Sequence, residues 1–474
     1  MKASSKLGYG IGQMSGGVMA AAGVSFLFFY YNQVLGLAGG LAGLATMIAL
    51  SLDALSDPMV GQISDNWRSR WGRRHPFMLA GALAFPVMVI LLFNPPADLS
   101  QLGLFCWYLF WAISVRVIQT LFLIPYLALG AELVSDYHER TSLIGYRVFF
   151  AGFGSLIVSV IGYGLFFPTT AEYANGMLNA DNYPRFGIFV GALATTAMLW
   201  CVIATRKVIP HLHSPNSPKP ERHPSLAVIV VFQTLREQAF RALFMTKLSF
   251  YSLAGVSLTL IVYIASYVFG FSSENLALIS TSPIFGMLAA SSIAQAISLR
   301  LDKRLAAAYC AALGATLSSV PLILFLLGAI DTFSLSEKVF LVYFFNMSSG
   351  GFMIAFGILL DSMLTDTVDQ HELHTSKREE GLFFAASSFA VKAGFGLGSF
   401  FAGIALDAIA FPVGMPPSEV APETINKLAI LGGPLLTALF CIVPIIIRRY
   451  PLDATKNTQI QQALNTKRAT AAGL

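Results

Sequence analysis

Twelve apolar stretches, each long enough to cross a bilayer, constrain this chain more than any other feature. A transmembrane helix needs about 20 mainly apolar residues, because the hydrocarbon core is about 30 Å thick. Only 12% of the 474 residues are charged, about half the share found in soluble domains. We therefore predict an all-α membrane protein. The predicted spans are residues 8–35, 40–63, 76–95, 103–131, 143–168, 186–205, 241–270, 275–299, 305–328, 337–364, 382–410 and 426–447.

Lys and Arg residues are distributed unequally between the two sides of this predicted bundle. Of the 30, 23 lie at the termini or in alternate loops on one side, three lie on the other side, and four lie within spans. Because cytoplasmic loops are enriched in Lys and Arg, we predict that both termini are cytoplasmic, in a cell inner membrane. The net charge of +5 is then a topology signal, and no nucleic-acid partner is predicted. We call the Lys- and Arg-rich side the basic side.

A polar segment near the middle divides the chain into two halves. It opens with RKVIPHLHSPNSPKPERHP, and its Pro, Ser and charged residues indicate a solvated linker rather than a histidine metal site. A short surface helix is predicted behind it, in SLAVIVVFQTLREQAF. Asp-x-His-Glu occurs at 136–139 and 369–372, each time after the fourth helix of a half, which suggests pseudo-symmetric duplication. The predicted parts are a six-helix bundle 1–205, a cytoplasmic linker 206–240, a second six-helix bundle 241–447 and a cytoplasmic tail 448–474.

Helix 2 carries two carboxylates at a depth where charge is costly. A charged side chain at the bilayer centre costs about 2.5–3.5 kcal/mol on insertion scales. Asp53 and Asp57 are four residues apart and therefore share one helix face. Neighbouring carboxylates repel each other, which favours binding a cation or sharing a proton. We predict a coupling site for Na⁺ or H⁺, with Ser56 as a further oxygen ligand; pairing with an interior Arg or Lys, for assembly only, is the alternative.

Helix 4 places polar residues within another apolar run. Arg116 and Thr120 share one face, and Gln119 lies beside them. We predict that Thr120 completes the cation site, while Arg116 and Gln119 either face a substrate or, for Arg116, neutralise a helix 2 aspartate. Pro125 removes a backbone hydrogen bond and can kink the helix.

Four further charged residues lie within or at the ends of predicted spans. Lys392, in FAVKAGFGLG of helix 11, is expected to pair with a helix 2 aspartate, either as a switch or as structural neutralisation. Lys247 is expected to extend its ammonium to the basic-side interface, and Arg147 either does the same or has a functional role. Asp407 is expected to be interfacial.

The loop between helices 2 and 3 concentrates arginines on the basic side. Arg clusters facing acidic helix ends can hold helices in one conformation, so we predict a gating loop, with plain positive-inside anchoring as the alternative. The second half has only a partial counterpart, RLDKR at 300–304. The predicted gating residues are Asp65, Arg68, Arg70, Arg73 and Arg74.

Three motifs resemble the major facilitator superfamily and, within it, the glycoside–pentoside–hexuronide cation symporters. DALSDPMVGQISDNWRSRWGRRHPFM resembles that family's helix 2 and following loop, and TLFLIPYLAL resembles its helix 4. The segment from DSMLTDTVDQHE to FAVKAG resembles its helices 10 and 11. The resemblance implies the major facilitator fold, in which two six-helix bundles rock to give alternating access.

The resemblance also implies roles for single residues. It implies a site for Na⁺ or another cation at Asp53, Asp57 and Thr120, with Ser56 in place of the family's Asn, and a functional lysine at Lys392. The sugar-site positions differ: Gly17 and Leu123 replace aspartates of the family's galactoside carrier, Leu127 and Gly357 replace tryptophans, and Arg147 is shifted by one residue. A galactoside is therefore not expected. The substrate-binding candidates are Arg116, Gln119, Arg147, Leu123 and Gly17.

Together these features predict a secondary active transporter that couples a cation, Na⁺ or H⁺, to symport of a small organic solute, with a sugar or glycoside as the favoured cargo. The alternative cargo is an amphipathic lipid, because the motifs are also similar to those of sodium-dependent lysophospholipid carriers. An enzyme is not expected, since HExxH and GxSxG motifs are absent and the cytoplasmic loops are short. The expected partners are the substrate, the coupling cation and membrane lipids, with no other cofactor, and the expected state is a monomer.

Overall fold

The protein is built from helices that match the twelve predicted spans. The computed structural model describes residues 3–134, 136–173, 175–211, 234–377 and 379–471. In these ranges, twelve helices are long and apolar enough to cross a membrane, so the all-α, twelve-helix prediction is confirmed. We number them α1 to α12: Ser4–Val34, Gly39–Asn66, His75–Leu92, Gln101–Leu133, Glu139–Phe166, Asn182–Ile209, Gln238–Val268, Ser273–Ser298, Lys303–Leu326, Leu335–Thr375, Glu380–Ala408 and Pro422–Ile447. A further helix near the C-terminus, α13, is Ala454–Ala471.

Side-chain caps explain where several of these helices begin. The first backbone N–H groups of a helix have no partner within it, and a Ser or Asp oxygen just before the helix satisfies them. Ser100 accepts from the N–H of Gly103 at the start of α4. Ser334 and Glu337 form a capping box at the start of α10. Asp136 accepts from the N–H of Glu139 at 2.9 Å and so begins α5.

Helix α10 extends well beyond the apolar run that predicted it. Its 41 residues correspond to roughly 60 Å, about twice the hydrocarbon thickness. Residues 369–372 therefore lie inside α10, whereas residues 136–139 begin α5. The prediction that both Asp-x-His-Glu segments follow the fourth helix of a half is wrong for the second. The added length is held by α13: Asn457 donates to Asp366 at 3.1 Å and Gln461 donates to Asp369 at 2.7 Å.

The chain divides into two compact units, of which the first comprises Met1–Pro224, Leu258–Thr281 and Ser399–Ile425. Small residues let its helices approach closely, as in other membrane bundles. A Cβ built at Gly154 would lie 2.6 Å from the Met14 carbonyl oxygen, so α1 and α5 are in backbone contact. At the end away from the basic side, Asp407 accepts from the N–H groups of Gly39 and Gly40 at 2.8 and 2.7 Å. Asp407 therefore caps α2, rather than being merely interfacial.

The second unit comprises Ser225–Ser257, Ser282–Gly398 and Asn426–Leu474. Here α7 packs on α11 through Gly255, where an added Cβ would lie 2.8 Å from the Phe395 carbonyl oxygen. Phe250 of α7 also packs on Phe356 of α10, with ring centroids 4.1 Å apart. Beyond α12, the Tyr450 hydroxyl donates to the Met363 carbonyl at 2.9 Å, and burial raises the pKa of this phenol well above its usual range. Tyr450 therefore stays a hydrogen-bond donor at working pH.

Most of the predicted linker, residues 212–233, lies outside the described residues, and so does the beginning of the short helix predicted behind it. The division of the chain at residues 205 and 241 stays a prediction.

Candidate functional site

Two carboxylates of α2 and one hydroxyl of α4 come together in the first unit. The Thr120 hydroxyl lies 2.9 Å from a carboxylate oxygen of Asp53 and 3.2 Å from one of Asp57. Asp53 and Thr120 are buried, and Asp57 is half-buried. A hydroxyl has one proton to donate, so it can satisfy only one of the two carboxylates at a time. The result is a compact set of hard oxygen atoms with two formal negative charges.

The fourth predicted member of this set has a different partner. The Ser56 hydroxyl donates to the backbone carbonyl of Asp53 at 3.0 Å, a local bond within α2. Such back-bonding is common for serine in helices. Thus α2 supplies the two carboxylates and α4 supplies the hydroxyl, while a role for Ser56 as a cation ligand stays a prediction.

Four of the five substrate-binding candidates lie on α4 and α1, and the fifth, Arg147, is a half-buried residue of α5. On α4, Gln119 is buried and Arg116 and Leu123 are half-buried, and their contact with a substrate stays a prediction. Gly17 of α1 is different, because a Cβ there would overlap the carbonyl group of Ala151 on α5. The structure places Gly17 in a close contact between α1 and α5, and its predicted role in a substrate site stays a prediction.

A charged cluster missed by the sequence analysis lies in the second unit. The Lys247 ammonium of α7 is 2.5 Å from a carboxylate oxygen of Asp361 on α10 and 2.6 Å from the Ser387 hydroxyl on α11. The Lys247 side chain is only 4% exposed, so the expectation that its ammonium extends to the interface is wrong. Lys392 is a half-buried residue of α11, and its predicted pairing with the α2 aspartates stays a prediction.

Two arginines of the predicted gating loop bind acidic groups of the first unit. Arg73 lies 2.7 Å from Glu132 at the end of α4, and Arg74 lies 3.1 Å from the same carboxylate. Arg74 also pairs with Asp65 at the end of α2 and donates to the Ser64 hydroxyl at 3.1 Å. These bonds connect the basic ends of α2, α3 and α4. By contrast, Arg68 and Arg70 are exposed, as plain anchoring residues would be.

The partial counterpart of this loop in the second unit makes a similar connection. Lys303 at the start of α9 lies 2.6 Å from Asp366 near the end of α10. Asp366 also accepts from Asn457 of α13. In both units, then, a cation at the start of one helix binds an acid near the end of the next helix. This likeness agrees with the pseudo-symmetry predicted from the sequence.

The residues missed by sequence reasoning had weak signals. Glu132 is the last acidic residue of α4 before its polar loop, and Asp361 is an isolated carboxylate in the apolar sequence ILLDSML. Acidic residues are rare within membrane spans, and that rarity could have identified Asp361. Within the described ranges, no cluster of three or more His, Cys, Asp or Glu side chains is arranged to hold a metal ion.

Comparison with known proteins agrees with this architecture. Residues 8–454 match the family described as MFS/sugar transport protein. The chain is 26% identical to the uncharacterised symporter sll1374 of Synechocystis sp., covering 98% of this chain and 97% of that protein. It is 25% identical to YagG of Escherichia coli, named as a glycoside/cation symporter, covering 93% and 88%. A crystal structure of the nucleoside transporter NupG has the same fold, with 13% identity, a TM-score of 0.63 and coverage of 94% and 99%. This chain is thus a multi-pass membrane protein that belongs to the MFS/sugar transport protein family.

Proposed function

We propose that this protein is a secondary transporter that couples entry of a cation to symport of a sugar or glycoside. The observation that carries the proposal is the contact of one hydroxyl, that of Thr120, with both Asp53 and Asp57. Two carboxylates held around one hydroxyl at membrane depth favour a bound cation or a shared proton. In this proposal Asp53, Asp57 and Thr120 form the coupling site.

The family description and the name of YagG support the cargo class. The family is described by sugar transport, and YagG is named for glycosides and cations. Neither favours the lysophospholipid alternative. We therefore propose a sugar or glycoside as cargo, carried by alternating access between the two sides of the membrane.

Cation coupling is tested by binding and uptake with the purified full-length protein in proteoliposomes. A panel of glycosides and pentosides is offered under an inward Na⁺ gradient, an inward H⁺ gradient, both and neither. We expect at least one solute to accumulate only when one of the gradients is present. If Na⁺ is the coupling ion, the affinity for the solute should rise when Na⁺ is added at constant pH. If H⁺ is the coupling ion, the affinity should rise when the pH is lowered at constant Na⁺ concentration.

Variants connect this activity to the proposed site. Asp57→Asn and Asp53→Asn remove one negative charge each at nearly constant volume, and we expect accumulation to fall to the gradient-free level. Asp331→Asn, an exposed loop carboxylate, is the matched control and should accumulate normally. If Asp57→Asn and Asp53→Asn both accumulate the solute as the unmodified protein does, the site assignment is wrong; if no gradient drives any solute, symport itself is wrong.

A further inference from the structure

A cavity in the first unit lies away from the carboxylate pair. It has a volume of about 160 Å³ and lies between α1, α4 and α5, toward their basic ends. On α4 it begins at Leu127, seven residues or roughly 10 Å beyond Thr120. Its lining residues are Tyr9, Leu127, Gly130, Ala131, Arg140, Leu143, Ile144 and Arg147.

Two arginines give this cavity its charge. Arg140 and Arg147 are seven residues apart on α5, so they lie two turns apart on one face. Among the described residues, neither guanidinium forms an ion pair, and the neighbouring carboxylate of Glu139 lies instead 3.8 Å from Lys6. The Nε of Arg147 is buried with no hydrogen-bond partner, and its guanidinium lies 5.8 Å from the centroid of the Tyr126 ring.

The Arg147 side chain is half-buried and that of Arg140 is exposed, but the buried Nε of Arg147 has no acceptor, and that is costly. Buried charges in proteins are normally paired, and a buried donor without an acceptor loses its hydration without replacement. The ring of Tyr126 compensates only in part, since a cation–π contact is worth about 0.5–2 kcal/mol. The arrangement is therefore that of a cationic site whose anion comes from outside the chain.

We propose that this cavity binds a carboxylate or phosphate group, held by Arg147 and Arg140. The planar fork of a guanidinium matches both groups with two parallel hydrogen bonds. Leu127, Leu143 and Ile144 form apolar walls, which lower the local dielectric constant and strengthen attraction to an anion. The proposal goes beyond cation-coupled symport, because an anion can bind here without a cation gradient; Arg147 is also a candidate for binding the transported substrate.

The dimensions of the cavity limit the ligand. Pockets for drug-sized molecules occupy about 300–1,000 Å³, so this one accommodates the anionic head of a ligand rather than a whole amphiphile. Its floor is fixed, because the Tyr9 hydroxyl donates to the Tyr126 carbonyl at 3.0 Å and a Cβ at Gly130 would overlap that hydroxyl. The anion is either that of a soluble acid, such as a sugar acid, or the phosphate of a lipid headgroup.

Binding to the full-length protein in lipid nanodiscs tests the proposal and distinguishes the two sources. In the soluble arm, discs of phosphatidylcholine alone are titrated calorimetrically with D-glucuronate, with inorganic phosphate and with neutral D-glucose, in low-chloride buffer. In the lipid arm, native mass spectrometry counts phosphatidylglycerol retained from mixed discs. We expect binding of an anionic probe in at least one arm, and none of glucose in this cavity.

The variants are chosen to separate binding from folding. Arg147→Gln and Arg140→Gln should each weaken anion binding by about ten- to a hundredfold, the loss expected for one charge-assisted hydrogen bond. Arg147→Lys should recover part of it, and Arg185→Gln, an exposed arginine of the same unit, should bind as the unmodified protein does. Without ligand, Arg147→Gln should unfold no more easily than the unmodified protein, because it removes a buried Nε–H that has no acceptor.

The proposal is overturned if no anionic probe binds in either arm, or if the Arg140→Gln/Arg147→Gln double variant binds as tightly as the unmodified protein. It is also overturned if Arg147→Gln lowers the stability of the ligand-free protein while anion affinity is unchanged, because that result assigns Arg147 a structural role. Binding of the soluble acids supports a solute site, and retention of phosphatidylglycerol supports a lipid headgroup site. Neither result depends on a cation gradient, so failure here is separable from failure of the proposed symport.

Discussion

The ion pair between Lys247 and Asp361 predicts an asymmetric response to mutation. The ammonium and carboxylate are 2.5 Å apart, but the lysine side chain is 4% exposed and the aspartate side chain 65% exposed. At an effective dielectric constant of about 20 their gross attraction is roughly 6–7 kcal/mol, most of which offsets the desolvation of the ammonium. Removing the acid should therefore cost more than removing the base, because only the base is left buried and charged.

The change in the free energy of unfolding expected for each variant follows from the exposed fractions of the two side chains. Breaking a fully buried pair costs about 3–5 kcal/mol. Since Ser387 still accepts from the ammonium, we expect Asp361→Asn to cost about 2–3 kcal/mol. Lys247→Met removes the buried charge and leaves an exposed carboxylate, so we expect about 0–1 kcal/mol. The double variant should resemble Lys247→Met, which gives a coupling energy of about 2–3 kcal/mol, equal to the cost of Asp361→Asn alone.

Equilibrium unfolding in mixed detergent micelles measures the free energy of unfolding of all four proteins. Asp331→Asn is the control, because its carboxylate is exposed in a loop and should change stability by less than about 0.5 kcal/mol. The reasoning is refuted if Lys247→Met destabilises as much as Asp361→Asn, or if the two changes add to within about 0.5 kcal/mol.

Three further predictions concern helix ends and helix contacts, each measured as a change in the free energy of unfolding. Glu132→Gln should cost about 1–2 kcal/mol, because it removes the carboxylate that binds two arginines, while Arg70→Gln on the exposed part of the same loop should be neutral; equal effects would contradict the assigned contacts. Asp407→Ala should cost about 1–2 kcal/mol through loss of the α2 cap, and an unchanged stability would show that the cap is dispensable. Gly17→Ala should cost about 1–3 kcal/mol or more from overpacking against α5, whereas Gly23→Ala, with open space around it, should be tolerated; the reverse order would be inconsistent with this packing.

The number and order of the membrane helices could be predicted from the sequence, because they depend on a local property. Each apolar run is long enough to cross the hydrocarbon on its own, and each predicted span overlaps one helix of the structure. The α2 aspartates were predictable for the same reason, since a charge in an apolar run is conspicuous. Their contact with Thr120 was also predicted, although its distances to Asp53 and Asp57 depend on how α2 and α4 pack.

Partners on distant helices could not be predicted in the same way. Lys247 lies near the end of α7, where a lysine normally reaches the interface. What holds it is Asp361, 114 residues later in the chain. Gly17 was matched to a substrate position by its place in the sequence, yet the backbone of α5 occupies the space beside it. Neither contact could be predicted, because the sequence shows which residues share a helix face but not what the face contacts.

Helix α10 shows the same limit for helix length. The apolar run predicts an end near residue 364, because the lipid imposes hydrophobicity only over the hydrocarbon thickness. The helix continues to Thr375, where its residues are polar and hydropathy carries no information. Its last turns are bound by polar partners from elsewhere: Asn457 and Gln461 of α13 donate to its acids, and His371 lies 3.2 Å from Glu237. Hydropathy therefore predicts only the part of a helix that lies within the hydrocarbon of the membrane. The end of the helix is determined by the hydrogen bonds that other segments provide.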